Sequence, residues 1–290
     1  MIVDSHHHLW DPATRAYPWL EADGLEPIRR PYRLDDLRTH AGAADVHGTV
    51  LVQTVPDVSE TRDLLRIAEQ SQGLVRGVVG WADLTDPGLS HRLRALRAGP
   101  GGHHLVGIRH QAQDEDDPRW LLRPEVLRGL HAVAEQDLVY DLLVLPHQLP
   151  AAVGAVAQVP EGRFVLDHAA KPPVRSGELD PWETDLRRLA AHGHVSCKLS
   201  GLVTEADWQR WEISHLRPYA EVVLDAFGPR RVMAGSDWPV CELAASYPVV
   251  WQTLFALLAG LSQVERADVL AGTATRSYRL TAGPRPETSR

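Results

Sequence analysis

An α/β fold, a (β/α)8 TIM barrel in a single domain, is the architecture this sequence predicts, on three observations. Eight short apolar runs are each bounded by turn or polar residues, and segments of helical period separate them, too long for hairpins. No Gly-rich phosphate turn follows any of the runs, as a doubly wound open sheet would lead one to expect, and eight units in about 280 residues is the rhythm of a closed barrel. The predicted strands are 2–8, 48–54, 75–81, 104–110, 138–144, 163–168, 194–200 and 231–237.

Start and stop signals place several of the helices. Asp86-Pro87 offers an N-cap and a first-turn proline for a helix that Gly99 ends; Asp180-Pro181 opens another, and Gly228 closes one beginning near Pro218. Ser262 with Glu265 matches a capping box, which predicts a further short helix over 262–272. The barrel domain is expected over 1–280, with 281–290 as a frayed polar tail. The long irregular stretches, 9–33, 111–123, 169–180, 201–216 and 238–246, all follow strands. In a barrel this gathers them on the C-terminal face, where active sites sit.

Composition excludes several classes of function. The chain has 290 residues, 30 Lys+Arg against 38 Asp+Glu, a net charge of −8 and scattered basic residues, so no footprint for a nucleic-acid backbone is present. No apolar run reaches the roughly 18 residues of a membrane span, and the first residues lack signal-peptide character, so the expectation is a cytoplasmic protein that binds neither membrane nor nucleic acid. Only Cys197 and Cys241 are present, without metal-site spacing; they are read as small packing residues rather than nucleophiles.

Chemistry concentrates where strands end. Asp4-Ser5-His6-His7-His8 places His6 and His8 on one face of the first strand, close enough for one metal ion, while His7 points away. Arg109-His110, Asp141 with His147 beyond it, Asp167-His168, Lys198 and Asp237 recur at other strand ends. Charges are costly inside strands, so a shared pocket explains the set better than folding does, with structural ion pairs at the rim as the plain alternative. The chain uses only two lysines, Lys171 and Lys198, and both fall at or just after such an end. Lys198 is the stronger site candidate; Lys171, before two prolines, reads equally well as a loop charge. Nine tryptophans stand against three phenylalanines, and Trp10, Trp81 and Trp238 lie at strand ends. An indole there can cover a sugar ring or simply pack the rim.

Taken together, Asp-x-His-x-His at residues 4–8, Leu166-Asp167-His168-Ala169-Ala170-Lys171-Pro172-Pro173, Cys197-Lys198-Leu199-Ser200-Gly201-Leu202 and Gly235-Ser236-Asp237-Trp238-Pro239-Val240 resemble the amidohydrolase superfamily. More narrowly they resemble its sugar-lactonase branch of L-fuconolactonases and L-rhamnonolactonases. Tyr17-Pro18-Trp19-Leu20, Gly80-Trp81-Ala82-Asp83-Leu84, Gly107-Ile108-Arg109-His110 and Tyr140-Asp141-Leu142-Leu143 extend the resemblance over nearly the whole chain. It implies a carboxylic-ester hydrolase that opens a sugar aldonolactone, with Asp237 as the base for water and His168 beside it in the catalytic centre. By the same resemblance His6, His8, His168 and Asp237 are the metal-ligand set, and Arg109, His110, His147, Lys198, Trp81 and Trp238 the residues gripping substrate. No lysine on the fourth or fifth strand is available for carboxylation, which argues against a dinuclear centre. Two arrangements stay open: one divalent ion, zinc, on that set, or a metal-free site in which the histidines polarise the carbonyl. The competing readings are a metal-dependent decarboxylase, a hydrolase of a dicarboxylic lactone, and a non-catalytic carbohydrate or metal binder. A dicarboxylate should call for several converging arginines, of which Arg109 is the one in sight.

Overall fold

The computed structural model describes residues 1–281; the expected tail otherwise lies outside the described residues. Eight parallel strands run in chain order: β1 Val3–His7, β2 Gly48–Val52, β3 Val75–Gly80, β4 Leu105–His110, β5 Val139–Leu142, β6 Arg163–Leu166, β7 Val195–Leu199 and β8 Val232–Ala234. Each falls within its predicted run, one to four residues shorter. Closure occurs just past β8, where the His8 N–H donates to the Trp238 carbonyl (2.7 Å) and the Asp237 N–H to the His6 carbonyl (2.8 Å). The expected barrel is therefore present.

Helices fill the crossovers: α1 Leu34–Ala43, α2 Val58–Gln70, α3 Leu89–Ala98, α4 Pro124–Glu135, α5 Leu149–Gln158, α6 Trp182–Ala190, α7 Ile213–Phe227 and α8 Tyr247–Leu257. In α2, the Asp57 carboxylate caps the start by accepting from Ser59 N–H (2.7 Å), and Leu64, Leu65 and Ala68 form the face buried against the barrel. Each such leucine contributes about 1.5–3 kcal/mol by leaving water. No helix among the described residues is long and apolar enough to cross a membrane.

Two helix starts differ from expectation. The Asp86 carboxylate accepts from Gly88 N–H (2.8 Å), forming a turn that delays α3 to Leu89. Helix α7 begins at Ile213 rather than near Pro218, so that proline lies inside it. Its missing N–H costs one intrahelical bond, while six buried residues, Leu216 to Phe227, hold the helix in place. Gly228, at φ 70°, ends it as expected.

The capping box at Ser262 opens a longer C-terminal segment than predicted: α9 Gln263–Ala267, a wider π-turn over Asp268–Gly272 and α10 Thr273–Ser277. Ala271, Ala274, Tyr278 and Leu280 pack against Val3, Val50, Val79, Val139, Val165 and Met233, which line the barrel interior. The segment plugs the end of the barrel opposite the long loops.

Candidate active site

A slip in β1 aims the first two histidines. Val3 belongs to the interior cluster, so strict alternation would turn His6 outward. Between Asp4 and His7 the register with β2 advances three residues against two, from Asp4↔Thr49 to His7↔Leu51. This bulge rotates His6 and His8 into the barrel and sends His7 outward, where its Nε2 meets Thr49 Oγ1 at 2.9 Å. Asp4 secures the bend. Its carboxylate accepts from the backbone N–H groups of His6 (3.2 Å) and Ser236 (2.8 Å), the Ser236 hydroxyl (2.6 Å) and the Tyr247 hydroxyl (3.0 Å). Burial pushes its carboxyl up to about 6.

His168 and Asp237 enter from turns just beyond β6 and β8. His168, Ala169, Ala170 and Lys171 all adopt left-handed backbone (φ 50–60°), and so does Asp237 (φ 57°). Such conformations are costly for residues other than glycine and persist where the surroundings over-determine them. Gly201 makes room: a Cβ there would stand 2.7 Å from His168 Nδ1. The side chains of all four predicted residues converge. Asp237 Oδ1 lies 3.8, 3.7 and 3.8 Å from the Nε2 atoms of His6, His8 and His168, while His6 and His8 Nε2 are 3.1 Å apart. This carboxylate oxygen is buried and accepts no hydrogen bond among the described residues.

The His8 proton follows from its partner: Nδ1 sits 2.8 Å from the Val52 carbonyl, which can only accept, so Nδ1 carries the hydrogen and Nε2 is bare. His6 Nδ1 lies 3.1 Å from Lys198 Nζ and 3.4 Å from Asp167 Oδ1, and its Nε2 lies 3.1 Å from His8 Nε2 and 3.5 Å from Arg109 Nη1. Burial, helped by Arg109, lowers His8 to about 3; burial lowers His168 to about 4 against the pull of Asp237. Both rings are neutral at physiological pH. Burial raises the Asp237 carboxyl above its ordinary range, with His168, Lys171 and Arg109 opposing the shift, and so strengthens it as a base.

Beneath this ring lies a layer of paired charges. Lys198 Nζ contacts Asp141 Oδ2 (2.6 Å) and Asp167 Oδ1 (2.8 Å), and Arg109 Nη1 donates to Asp167 Oδ2 (2.9 Å). The Arg109 guanidinium also donates to the Gln53 carbonyl. The Tyr278 hydroxyl reaches both oxygens of Asp141, at 2.9 and 2.8 Å, from the plug below. Burial pushes Asp141 up to about 6, whereas at Asp167 Lys198, His6 and Arg109 outweigh burial and hold the carboxyl well below the usual range.

Above the ring opens a cavity of about 260 Å³ whose walls include His8, Arg109, His168 and Asp237. It is just below the roughly 300 Å³ at which small-molecule pockets begin, so it suits a compact ligand. Five residues expected to grip substrate lie outside the lining of this cavity. Lys198 is fully buried below His6 and Trp238 is fully buried among Tyr32, His40 and Tyr247, its indole donating to Glu242 (2.9 Å). The Trp81 indole donates to His110 Nδ1 (3.0 Å), and His110 stacks on Trp120 with its Nε2 2.8 Å from Glu115. His147 is exposed on the turn before α5, outside the cavity lining. Sequence reasoning missed Trp19, Gln111, Gln113, Asp114 and Glu205, which do line it, and set Lys171, also on the lining, behind Lys198 as a loop charge. All lie on the long post-strand loops or their edges, the signal that could have found them.

The amidohydrolase family model matches residues 3–280. The chain belongs to the amidohydrolase family. An L-fucono-1,5-lactonase of Burkholderia multivorans is 40% identical over 99% of this chain and 98% of its own length. A second L-fucono-1,5-lactonase, from Burkholderia ambifaria, is 36% identical over 96% and 95%. A crystal structure of a Burkholderia multivorans amidohydrolase with bound zinc superposes at a TM-score of 0.90, with 39% identity, over 97% of this chain and 100% of that one. Within this amidohydrolase, the donor set of three imidazoles and a carboxylate oxygen fits a divalent cation: ligand atoms of His6, His8 and Asp237 lie within 4.8 Å of one another, and His168 Nε2 stands 3.8 Å from Asp237 Oδ1.

Proposed function

We propose that this amidohydrolase opens a sugar aldonolactone of the L-fucono-1,5-lactone type to its aldonic acid, with Asp237 as the base. The observation that carries the reading is Asp237 Oδ1, buried, without a hydrogen-bond donor, and ringed by three imidazoles on the wall of a compact cavity. The lactonase relatives supply the substrate class.

A lactone is an activated ester, so it needs a base for water and donors for the developing oxyanion. Asp237 takes a proton as the water oxygen bonds to the carbonyl carbon, and the carbonyl π pair moves onto oxygen. Arg109, on the cavity wall with its Nε–H without a hydrogen-bond partner among the described residues, supplies a hydrogen bond to this oxyanion. Collapse re-forms the carbonyl and breaks the ring C–O bond, and the proton on Asp237 passes to the departing alkoxide. A zinc ion held by residues of the His6, His8, His168 and Asp237 set would add Lewis acidity toward the carbonyl and a lower pKa for bound water.

A dicarboxylic substrate fits less well. Among the described residues Arg109 is the one arginine on the cavity wall, and both of its Nη groups are already engaged, by Asp167 and Gln53. The test is hydrolysis of freshly generated L-fucono-1,5-lactone and a panel of sugar lactones, read with a pH indicator before and after chelation, with metal content measured in parallel. Fast opening is expected. A folded protein that opens none of the panel would overturn the reading, and loss of rate on chelation, restored by zinc, would assign the metal.

A further inference from the structure

Two charged side chains on the cavity wall take no part in the chemistry above. Lys171 and Glu205 both line the cavity with Asp237 and His168. Among the described residues neither side chain has a hydrogen bond or an ion pair, whereas the other lysine, Lys198, has three polar contacts. Glu205 is largely withdrawn from solvent, and burial raises its carboxyl, with Lys171 opposing the shift and Asp237 adding to it. A half-buried carboxylate and an ammonium that the protein leaves without partners are costly unless a ligand supplies them.

Their placement is fixed by the fold. Lys171 closes the left-handed run that begins at His168, and its N–H donates to the His168 carbonyl (2.8 Å). The Trp182 indole pins the middle of that run through the Ala169 carbonyl (2.7 Å). Glu205 follows Gly201 in the loop after β7, and its own carbonyl accepts from Arg175 N–H (3.1 Å), which ties this loop to the one carrying Lys171. The wall thus offers one strong acceptor and one strong donor at positions linked to the catalytic histidine. Trp19, Leu25 and Val240, on the same lining, supply an apolar surface.

A carboxylate accepts from two adjacent hydroxyls at once, and an ammonium donates to ring or hydroxyl oxygens; charge-assisted bonds of this kind are about twice as strong as neutral ones. A ring carrying several hydroxyls satisfies both groups, whereas a bare lactone has no hydroxyl to donate to the carboxylate and only its ester oxygens to offer the ammonium. We propose that Glu205 and Lys171 are the specificity-determining pair of this site, gripping the ring hydroxyls while Asp237 acts at the carbonyl. The inference rests on the sugar-lactone reading and names the residues that make it selective. Sites built around such polar groups reject analogues lacking the hydroxyls by large factors, because the groups are then buried unpaired.

The test compares L-fucono-1,5-lactone with δ-valerolactone, the same six-membered ester without hydroxyls, in the wild type, Glu205→Gln and Lys171→Met. The ratio of kcat/KM for the two lactones should fall at least tenfold in each variant, mainly through KM for the sugar lactone. Equal losses on both lactones, or an unchanged ratio, overturn the proposal. A second readout is independent of turnover: calorimetric titration with a polyhydroxylated δ-lactam, which the site binds without opening. Binding should weaken at least tenfold in each variant while the thermal midpoint stays near that of the wild type. Lactam binding indifferent to both residues, or no binding, overturns the pair. Pair-dependent binding by a protein that opens no lactone supports the pair and overturns the hydrolase reading instead.

Discussion

Two sets of charged residues meet at the mouth of this barrel, and they are treated oppositely. In the floor, Arg109, Asp141, Asp167, Lys198 and the hydroxyl of Tyr278 are buried and matched to one another, charge against charge. On the wall, Asp237 Oδ1, Lys171 and Glu205 have no hydrogen-bond partner among the described residues. The floor is a fixed electrostatic base that orients the rings above it. Groups left without partners are the ones available to water and substrate. Burial alone does not separate the two sets, since Asp237 and Lys198 are both almost fully buried; the state of their partners does.

Breaking the wall should cost rate and spare the fold. Asp237→Asn keeps the side chain's shape but removes the base, and kcat should fall by roughly 10² to 10⁴-fold. Its guanidinium unfolding midpoint should stay at or above that of the wild type, because a buried carboxylate without a partner is lost. A variant with near wild-type turnover would remove Asp237 from the role of base.

Breaking the floor should cost stability. Lys198→Met strips the ammonium from between Asp141 and Asp167, and removing one member of a buried charge cluster typically costs about 3–5 kcal/mol. Guanidinium denaturation at pH 7 measures it; an unchanged midpoint would show that pairing does not hold the floor.

Acid sharpens the contrast with a smaller effect. Burial holds His7 and His8 at about 3 and His168 at about 4, and burial with Lys198 holds His6 well below 6.5. As pH falls below 7 the unfolded chain therefore takes up protons on these rings while the folded chain does not, so stability declines. Between pH 7 and 6 the loss should be roughly 2 kcal/mol by proton linkage. Below about 6 the decline should continue, offset in part but not halted, because Asp4 and Asp141, raised to about 6, bind protons in the folded state while the four rings bind more in the unfolded chain. Denaturant midpoints across pH 5 to 8 check both signs. A constant midpoint from pH 7 to 6 would contradict neutral buried rings.

Much of this was legible along the chain. The barrel followed from eight apolar runs of strand length separated by helical segments, and all eight strands form within those runs. The convergence of His6, His8, His168 and Asp237 followed from their positions at strand ends, because a closed parallel sheet carries all such ends to one face. The helix starts at Asp86 and Pro218 were misplaced because a side chain turn and a tolerated interior proline overrode local signals. Simple alternation put His6 and His8 on one face correctly, yet aiming that face inward took a bulge that no local pattern announces.

Strand and helix periods, strand-end chemistry and the likeness to sugar lactonases were determined by the sequence itself, since each depends on residues near one another in the chain or on whole-chain similarity. Which charges are matched was decided by tertiary structure. Lys198 looked like a hand for substrate and Lys171 like a loop charge; folding sets the first between two aspartates, 57 and 31 positions away in the chain, and leaves the second free on the cavity wall. The physical reason is that a charged side chain's role depends on what satisfies it, and in a closed barrel those partners arrive from other strands.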